Sequence, residues 1–250
     1  MATKATTTIC SYDADHIYVR GKNLVDEVIG NYDFGGAFLL QALGAEPTAK
    51  QRLALDVALV TIMEHGLVPS AVTARLTLHG APESLQGAVA AGLLGVGDRY
   101  AGTASLCAQV IDSVTSSDDM KEAAKELVAQ RRAAKQPIPG FGHPIHTGTD
   151  PRVDKLLSYV AEDSSALEAA RSIEIALSDA LGKTLVMNVS TALAVLLLDA
   201  EIPANMVRGI ILVARCAGLV GHLLEEESNP IGGALWDGST AAIDQNADPQ

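Results

Sequence analysis

The chain has 250 residues, enough to bury a sizeable core as one large domain or as two packed lobes. Its 18 basic and 30 acidic residues leave a net charge of −12, which argues against general attraction to nucleic-acid phosphates or anionic membranes; an anionic ligand would need a local basic site. Cys10, Cys107 and Cys216 are an odd number without C-x-x-C spacing, so no disulfide framework is expected, a reducing cytoplasm is favoured, and Cys107 and Cys216 read as buried small side chains.

Taken in chain order, residues 1–16 lack the apolar core of a signal peptide after Lys4, and the first ten or so residues read as irregular, as does the tail after Gly238. Met120, Ala123, Ala124, Leu127 and Val128 fall at i, i+3, i+4, i+7 and i+8, with acids at the start and Arg131, Arg132 and Lys135 at the end; this predicts a helix that Pro137 and Pro139 stop. Asp150 is placed to cap a helix with Pro151 at its first position, carrying Val153, Leu156, Leu157 and Val160 on one face. Ser165 with Glu168 reads as a capping-box start for the next helix. Apolar helices are predicted over 189–198 and 207–224; Asp199 and Arg215 interrupt them before membrane-spanning length, so they read as core helices with no membrane partner. Strand-like alternation is scarce and aromatic residues make up only 4%, which suits helix packing through Ala, Leu and Val. The expected fold class is all-α.

Residues 139–153, PGFGHPIHTGTDPRV, combine an imidazole, a glycine loop and an arginine. Gly140 and Gly142 flank Phe141 and let the main chain approach a ligand closely just before His143. His143 and His146 form an H-x-x-H, but Pro144 lies between them on a loop and no third ligand has zinc-like spacing, so no metal is expected. The glycines of GLLGVG lie inside a helical pattern, follow no strand and do not read as a dinucleotide fingerprint; no Walker A sequence is present. His16 and His79 have no motif around them. Gly221 before His222 permits close helix packing, and packing and ligand roles for that histidine are both open.

The G-x-G-H and D-P-R of this loop resemble the citrate synthase superfamily's catalytic-histidine and carboxylate-binding segment. MEHGLVPSAVTARL at 63–76 is similar to its earlier histidine segment, GLLGVGDRYAG at 92–102 resembles the citryl-CoA lyase branch and the C-terminal module of ATP-citrate lyase, and ARCAGLVGHLLEE at 214–226 looks like its late arginine segment. The resemblance runs in order from about residue 30 to about residue 236. It implies a large helical lobe of residues 1–107 and 189–250 with a small lobe of 108–188 inserted, a cleft between them, and a homodimer or higher homo-oligomer. It also implies a coenzyme A thioester as substrate rather than a tightly bound cofactor, with Ile138, Pro139, Gly140, Phe141 and Gly142 contacting CoA and a carboxylic or keto acid as the second small molecule. Arg131, Arg132 and Lys135 offer a cluster for CoA phosphates or a solvated helix end.

Cleaving the bond between a 3-hydroxyl carbon and a thioester α-carbon needs a base for the hydroxyl proton, a partner for the enolate oxygen and a proton for the departing carbon. His143 suits the first task, with an ordinary pKa of about 6.5. His65 could hydrogen-bond the substrate's hydroxyl or carboxylate, and Arg152 and Arg215 carry forked donors matched to carboxylates, although arginines also cap helices and pair with surface acids. Two positions depart from the family pattern. Tyr100 stands where synthases carry the histidine that stabilises the acetyl-CoA enol, and Ser190 stands where both branches carry an aspartate for the α-carbon proton. The reading is a citryl-CoA lyase-like enzyme cleaving or forming a C–C bond in a carboxylated 3-hydroxyacyl-CoA. A water on Ser190 or Asp98 would then shuttle the proton, or the leaving enolate would need no dedicated acid. The alternatives are a non-catalytic CoA-thioester binder and a citrate synthase-type condensing enzyme.

Overall fold

The computed structural model describes residues 5–142 and 150–243. Eleven α-helices among these residues dominate: α1 (Phe34–Leu43), α2 (Ala49–Ile62), α3 (Pro69–Gly80), α4 (Leu85–Leu94), α5 (Thr103–Thr115), α6 (Met120–Ala133), α7 (Pro151–Leu157), α8 (Ser165–Leu181), α9 (Val189–Asp199), α10 (Val207–Ser228) and α11 (Gly232–Ala242). The expected all-α class holds.

Three short strands precede the helices, in a stretch where no strand was predicted. β1 (Cys10–Tyr12), β2 (Ile17–Val19) and β3 (Lys22–Asn23) form an antiparallel sheet in sequence order. Local turn chemistry makes it possible. The Asp13 carboxylate accepts from the backbone of Asp15 and His16 at 2.9 and 2.8 Å, and Arg20 and Gly21, both at positive φ, turn β2 back into β3. At the other end α11 runs four residues past Gly238, where a disordered tail was expected.

The caps follow side-chain chemistry. Asp150 accepts from the Arg152 N–H with Pro151 at the first helical position of α7, as the sequence predicts. The cap of α8 is Ser164, one residue before the expected Ser165, its hydroxyl accepting from Leu167. Asn188 caps α9 through its side-chain oxygen on the Ser190 N–H.

The core is built around α9, in which every residue from Thr191 to Leu197 is buried against α2, α5, α7 and α8. Each of its buried leucines contributes about 1.5–3 kcal/mol by leaving water. A second, smaller apolar cluster joins Ala71, Ala74 and Leu78 of α3 to Ala88 of α4 and Leu219 and Leu223 of α10. By length and apolarity α10 could cross a membrane. Instead it packs against α2, α3, α4 and α5 and buries Arg215 and Glu226 in the protein, so it serves as a core helix. Cys107 is buried and burial pushes its thiol up to about 12; Cys216 is only half-buried, and all three cysteines are free.

Candidate active site

A cleft of about 320 Å³ opens where the end of α2, the turn after α4 and the first turns of α7 and α9 meet α10. His65, Tyr100, Arg152, Ser190 and Arg215, far apart in sequence, all line it. Arg99 and Glu64 join them, neither of which the sequence reading assigned a role.

Arg215 projects from α10 and is 1% exposed. Its Nη1 donates to the Met63 carbonyl at 3.1 Å and more loosely to that of Ile62 at 3.4 Å, and Nη2 reaches the Ser70 hydroxyl at 3.5 Å. Nε is buried and has no hydrogen-bond partner among the described residues. Burial holds the guanidinium below its usual range, against the opposing attraction of Glu64. A buried cation with an unused N–H, on a residue that lines the cleft, has the chemistry to receive an anion.

Among the described residues Glu64 is the one acidic residue that lines the cleft. Its Oε1 accepts from the N–H groups of His65 and Gly66 at 2.8 and 2.5 Å and contacts His222 Nε2 at 3.0 Å. Burial pushes the Glu64 carboxyl up, but the His222 bond and the two backbone donors outweigh it and hold the group below the ordinary carboxylate range. The His65 ring is exposed at this turn. The close helix approach expected at Gly221 occurs instead at Gly218, where a Cβ would stand 2.0 Å from the Met63 carbonyl oxygen; nothing lies within 4 Å of the Gly221 position. Behind His222 stands Arg75, also 1% exposed, which pairs with Glu226 at 2.6 Å and with Glu225.

Arg152 forks onto Asp150, with Nε at 3.1 Å from Oδ1 and Nη2 at 2.7 Å from Oδ2, and this pairing raises its already high pKa. It therefore reaches the cleft partly neutralised, unlike Arg215. Tyr100 is 47% exposed, with the Arg99 guanidinium 5.9 Å from its ring centre. Both sit on a turn in which the N–H groups of Tyr100 and Gly102 return to the Gly97 carbonyl. The glycines of this motif run from inside α4 at Gly92 to its cap at Gly95 and the turn at Gly97, rather than lying within a helix throughout. Asp98, considered from sequence as a proton shuttle, pairs with Arg208 and is not among the described residues that line the cleft.

Ser190 lines the cleft from the first turn of α9. Residues 138–142 do not line it, yet they are stapled to the same helix start. The Asn188 N–H and the Thr191 hydroxyl donate to the Gly140 carbonyl at 2.8 and 2.7 Å, the Asn188 side-chain amide donates to the Gly142 carbonyl at 3.2 Å, and the Gly142 N–H returns to Val186 at 2.7 Å. Gly140, at φ +91°, could not carry a Cβ without meeting Thr191 Oγ1 at 2.1 Å and Cys107 Sγ at 2.5 Å. Ile138, Pro139 and Phe141 are half-buried in this loop. His143 and His146 lie outside the described residues.

Other basic and histidine side chains make local contacts. Arg132 donates to the Ala180 carbonyl and ties α6 to α8, and Arg131 reaches the Gln136 side chain at 3.3 Å. His16 pairs with Asp13 in the first hairpin, and His79 packs at Gly232. Among the described residues no three His, Cys, Asp or Glu side chains come together as a metal site would require.

The family model for the C-terminal domain of citrate synthase matches residues 2–233, and the chain belongs to that family. A putative citrate synthase 2 of Mycobacterium tuberculosis is 28% identical over 192 residues, covering 73% of this chain and 49% of that protein. The chain thus spans about half the length of this curated relative. The structure of citryl-CoA lyase from Hydrogenobacter thermophilus superposes with a TM-score of 0.80 at 27% identity, over 98% of this chain and 93% of that one. ATP citrate lyase from Methanothrix soehngenii, solved in complex with citrate and coenzyme A, shares the fold with a TM-score of 0.81 at 22% identity, over 100% of this chain and 43% of that one.

Proposed function

We propose that the chain is a carbon–carbon lyase of the citryl-CoA lyase type, acting on a carboxylated 3-hydroxyacyl-CoA to give an acyl-CoA and a keto acid, or running the reverse condensation. The observation that carries this reading is Arg215, a fully buried guanidinium whose Nε has no partner, facing a cleft shared with His65, Arg152, Tyr100 and Ser190. Family membership and the likeness to a citryl-CoA lyase over nearly the whole of both chains support it. A coenzyme A thioester is the substrate rather than a resident cofactor, as the citrate and coenzyme A held by the Methanothrix soehngenii relative suggest. Residues 138–142 contact its CoA portion, beside the start of α9.

In the cleavage direction His143 takes the proton of the 3-hydroxyl. The C–O bond becomes a carbonyl, the bond to the α-carbon breaks, and its electron pair passes into the thioester as an enolate. Tyr100, and Arg99 next to it, donate to the enolate oxygen, while Arg215, Arg152 and His65 hold the keto acid. The carbanion is then protonated by a water on the Ser190 hydroxyl, and the hydroxide left behind is neutralised by the proton that His143 took up. We also propose the two-lobe division at 107/108 and 188/189, a homo-oligomer, and a cytoplasmic location, the last on the three free thiols.

One observation favours a second reading. Glu64, the one acidic residue lining the cleft among the described residues, is held below the ordinary carboxylate range and is a poor proton donor, so no described carboxylic acid there takes over from the family aspartate at Ser190. The native leaving group is then an enolate stable enough to need no dedicated acid, or the protein binds CoA thioesters without turnover. Incubating purified protein with citryl-CoA and related thioesters, and following released acyl-CoA and keto acid, separates these. Cleavage of any of them, lost in His143→Ala, supports the lyase; tight CoA binding with no turnover of any thioester leaves a binder.

A further inference from the structure

Buried Arg75 and half-buried His222 lie outside the cleft wall, yet they are wired to it. Arg75 Nε and Nη2 lie 3.1 and 2.9 Å from His222 Nδ1. A guanidinium can only donate, so Nδ1 must be the accepting, unprotonated nitrogen and the proton must sit on Nε2. Nε2 then donates to Glu64 Oε1 at 3.0 Å, the same oxygen that receives the His65 and Gly66 N–H groups. Arg75 itself cannot turn away, because Glu226 holds Nη1 and is in turn held by the N–H groups of Ile231 and Gly232 at 2.9 and 2.5 Å. The order is therefore fixed from α11 through α10 and α3 to the turn that carries His65.

The fixed end of this chain matters because of what Glu64 would otherwise do. It lines the same cleft as Arg215, whose main donor bond goes to the carbonyl of Met63, the residue before Glu64. A carboxylate released from His222 keeps only the N–H groups of its own turn, and it already attracts Arg215, whose Nε has no partner among the described residues and lies where a substrate carboxylate would dock.

We propose that His222 is a positioning residue: locked as the Nε2–H tautomer by Arg75, it holds the Glu64 carboxylate on the 64–66 turn, fixing His65 and keeping Arg215 open for the carboxylate of the substrate. This rests on the cleft being the carboxylate and thioester site proposed above. Loss of His222 lets the protein's own carboxylate occupy that site, and removing the charge of Glu64 as well reopens it.

Two measurements test this. Long-range proton–nitrogen NMR of the wild-type protein is expected to show His222 with a bare Nδ1 and a protonated Nε2; the opposite tautomer, or a doubly protonated ring at neutral pH, overturns the proposal. Calorimetric titration with citrate is expected to give a Kd raised at least about tenfold in His222→Leu and returned to within about threefold of wild type in Glu64→Gln/His222→Leu, a sign reversal that mere loss of packing would not produce. His222→Gln, whose amide can accept from Arg75 and donate to Glu64, is expected to bind as the wild type does and guards against a Leu variant that does not fold. Wild-type citrate binding with unchanged affinity in His222→Leu, or a double variant weaker than the single one, overturns the relay alone. No citrate binding by the wild type overturns the site reading and the relay together.

Discussion

Replacing Arg215 by Met should move stability and ligand affinity in opposite directions. The substitution removes a guanidinium that is 1% exposed and whose Nε is unpaired, and replaces it with an unbranched apolar side chain of similar reach. Apolar replacement of buried charged groups stabilises by about 1–4 kcal/mol in favourable cases. Against this stands the Met63 carbonyl, which loses its 3.1 Å donor at about 1 kcal/mol, while the contacts at 3.4 and 3.5 Å are too long to count for much. The net expectation is a gain of about 0–3 kcal/mol in urea unfolding. A substrate carboxylate, by contrast, loses a desolvated charge-assisted partner at about 2–5 kcal/mol, or about 30-fold to 5,000-fold in Kd. Urea melts and citrate calorimetry on the same preparation read both quantities. A variant destabilised by more than about 2 kcal/mol with unchanged citrate affinity would refute the assignment of Arg215 as a receptor and make it a structural residue.

Gly140→Ala is expected to destabilise by about 2–4 kcal/mol, from positive φ and from the contacts with Thr191 and Cys107, and to weaken CoA binding; a midpoint within experimental error of wild type would show that the 138–142 staple yields freely. Ser190→Asp is expected to speed citryl-CoA cleavage at least about tenfold, since a positioned carboxylic acid contributes about 10²–10⁴; unchanged or lower cleavage would mean the native substrate does not use that position in the family's way. Acid should unfold the protein through Glu226 and Glu64. Burial raises the Glu226 carboxyl, but Arg75 and the N–H groups of Gly232 and Ile231 outweigh it and hold it below 4.5, as Glu64 is held. A depressed folded value contributes its stability above the unfolded pKa and loses it as pH falls through the folded one, so Glu226→Gln should be less stable than wild type by about 3 kcal/mol at pH 7, with the gap closing below about pH 4. A gap independent of pH would count against this ion pair as its cause.

How much was legible in the sequence depended on whether the physics was local. Helix α6, the Asp150 and Pro151 start of α7 and the apolar run of α9 follow from caps and periodicity, and the structure has them there. The Ser164 cap was misread by one residue because two adjacent serines offer the same hydroxyl and only the backbone entry angle decides between them. The first hairpin was missed because its strands are two or three residues long and exposed, too short for alternation to register, although the Arg-Gly turn and the Asp13 turn were readable signals. His65, Tyr100, Arg152, Ser190 and Arg215 were named from the family resemblance, and the fold gathers them around one cleft. Arg75 and Glu64 went unassigned because their importance lies in partners far along the chain, 151 residues away for Arg75 and Glu226 and 158 for Glu64 and His222. Asn188 could have been found, since an Asn immediately before an apolar helical run is a capping signal.

The central claim is that one cleft takes both the carboxylic acid and the thioester, and the structure of the protein with citrate and coenzyme A bound tests it most directly. The expected result is a citrate carboxylate within hydrogen-bonding distance of Arg215 Nε, a second near Arg152 and His65, and the CoA thiol between Tyr100 and Ser190 with its chain running along residues 138–142. Citrate bound away from Arg215, or a CoA thiol that does not reach the cleft, would contradict it.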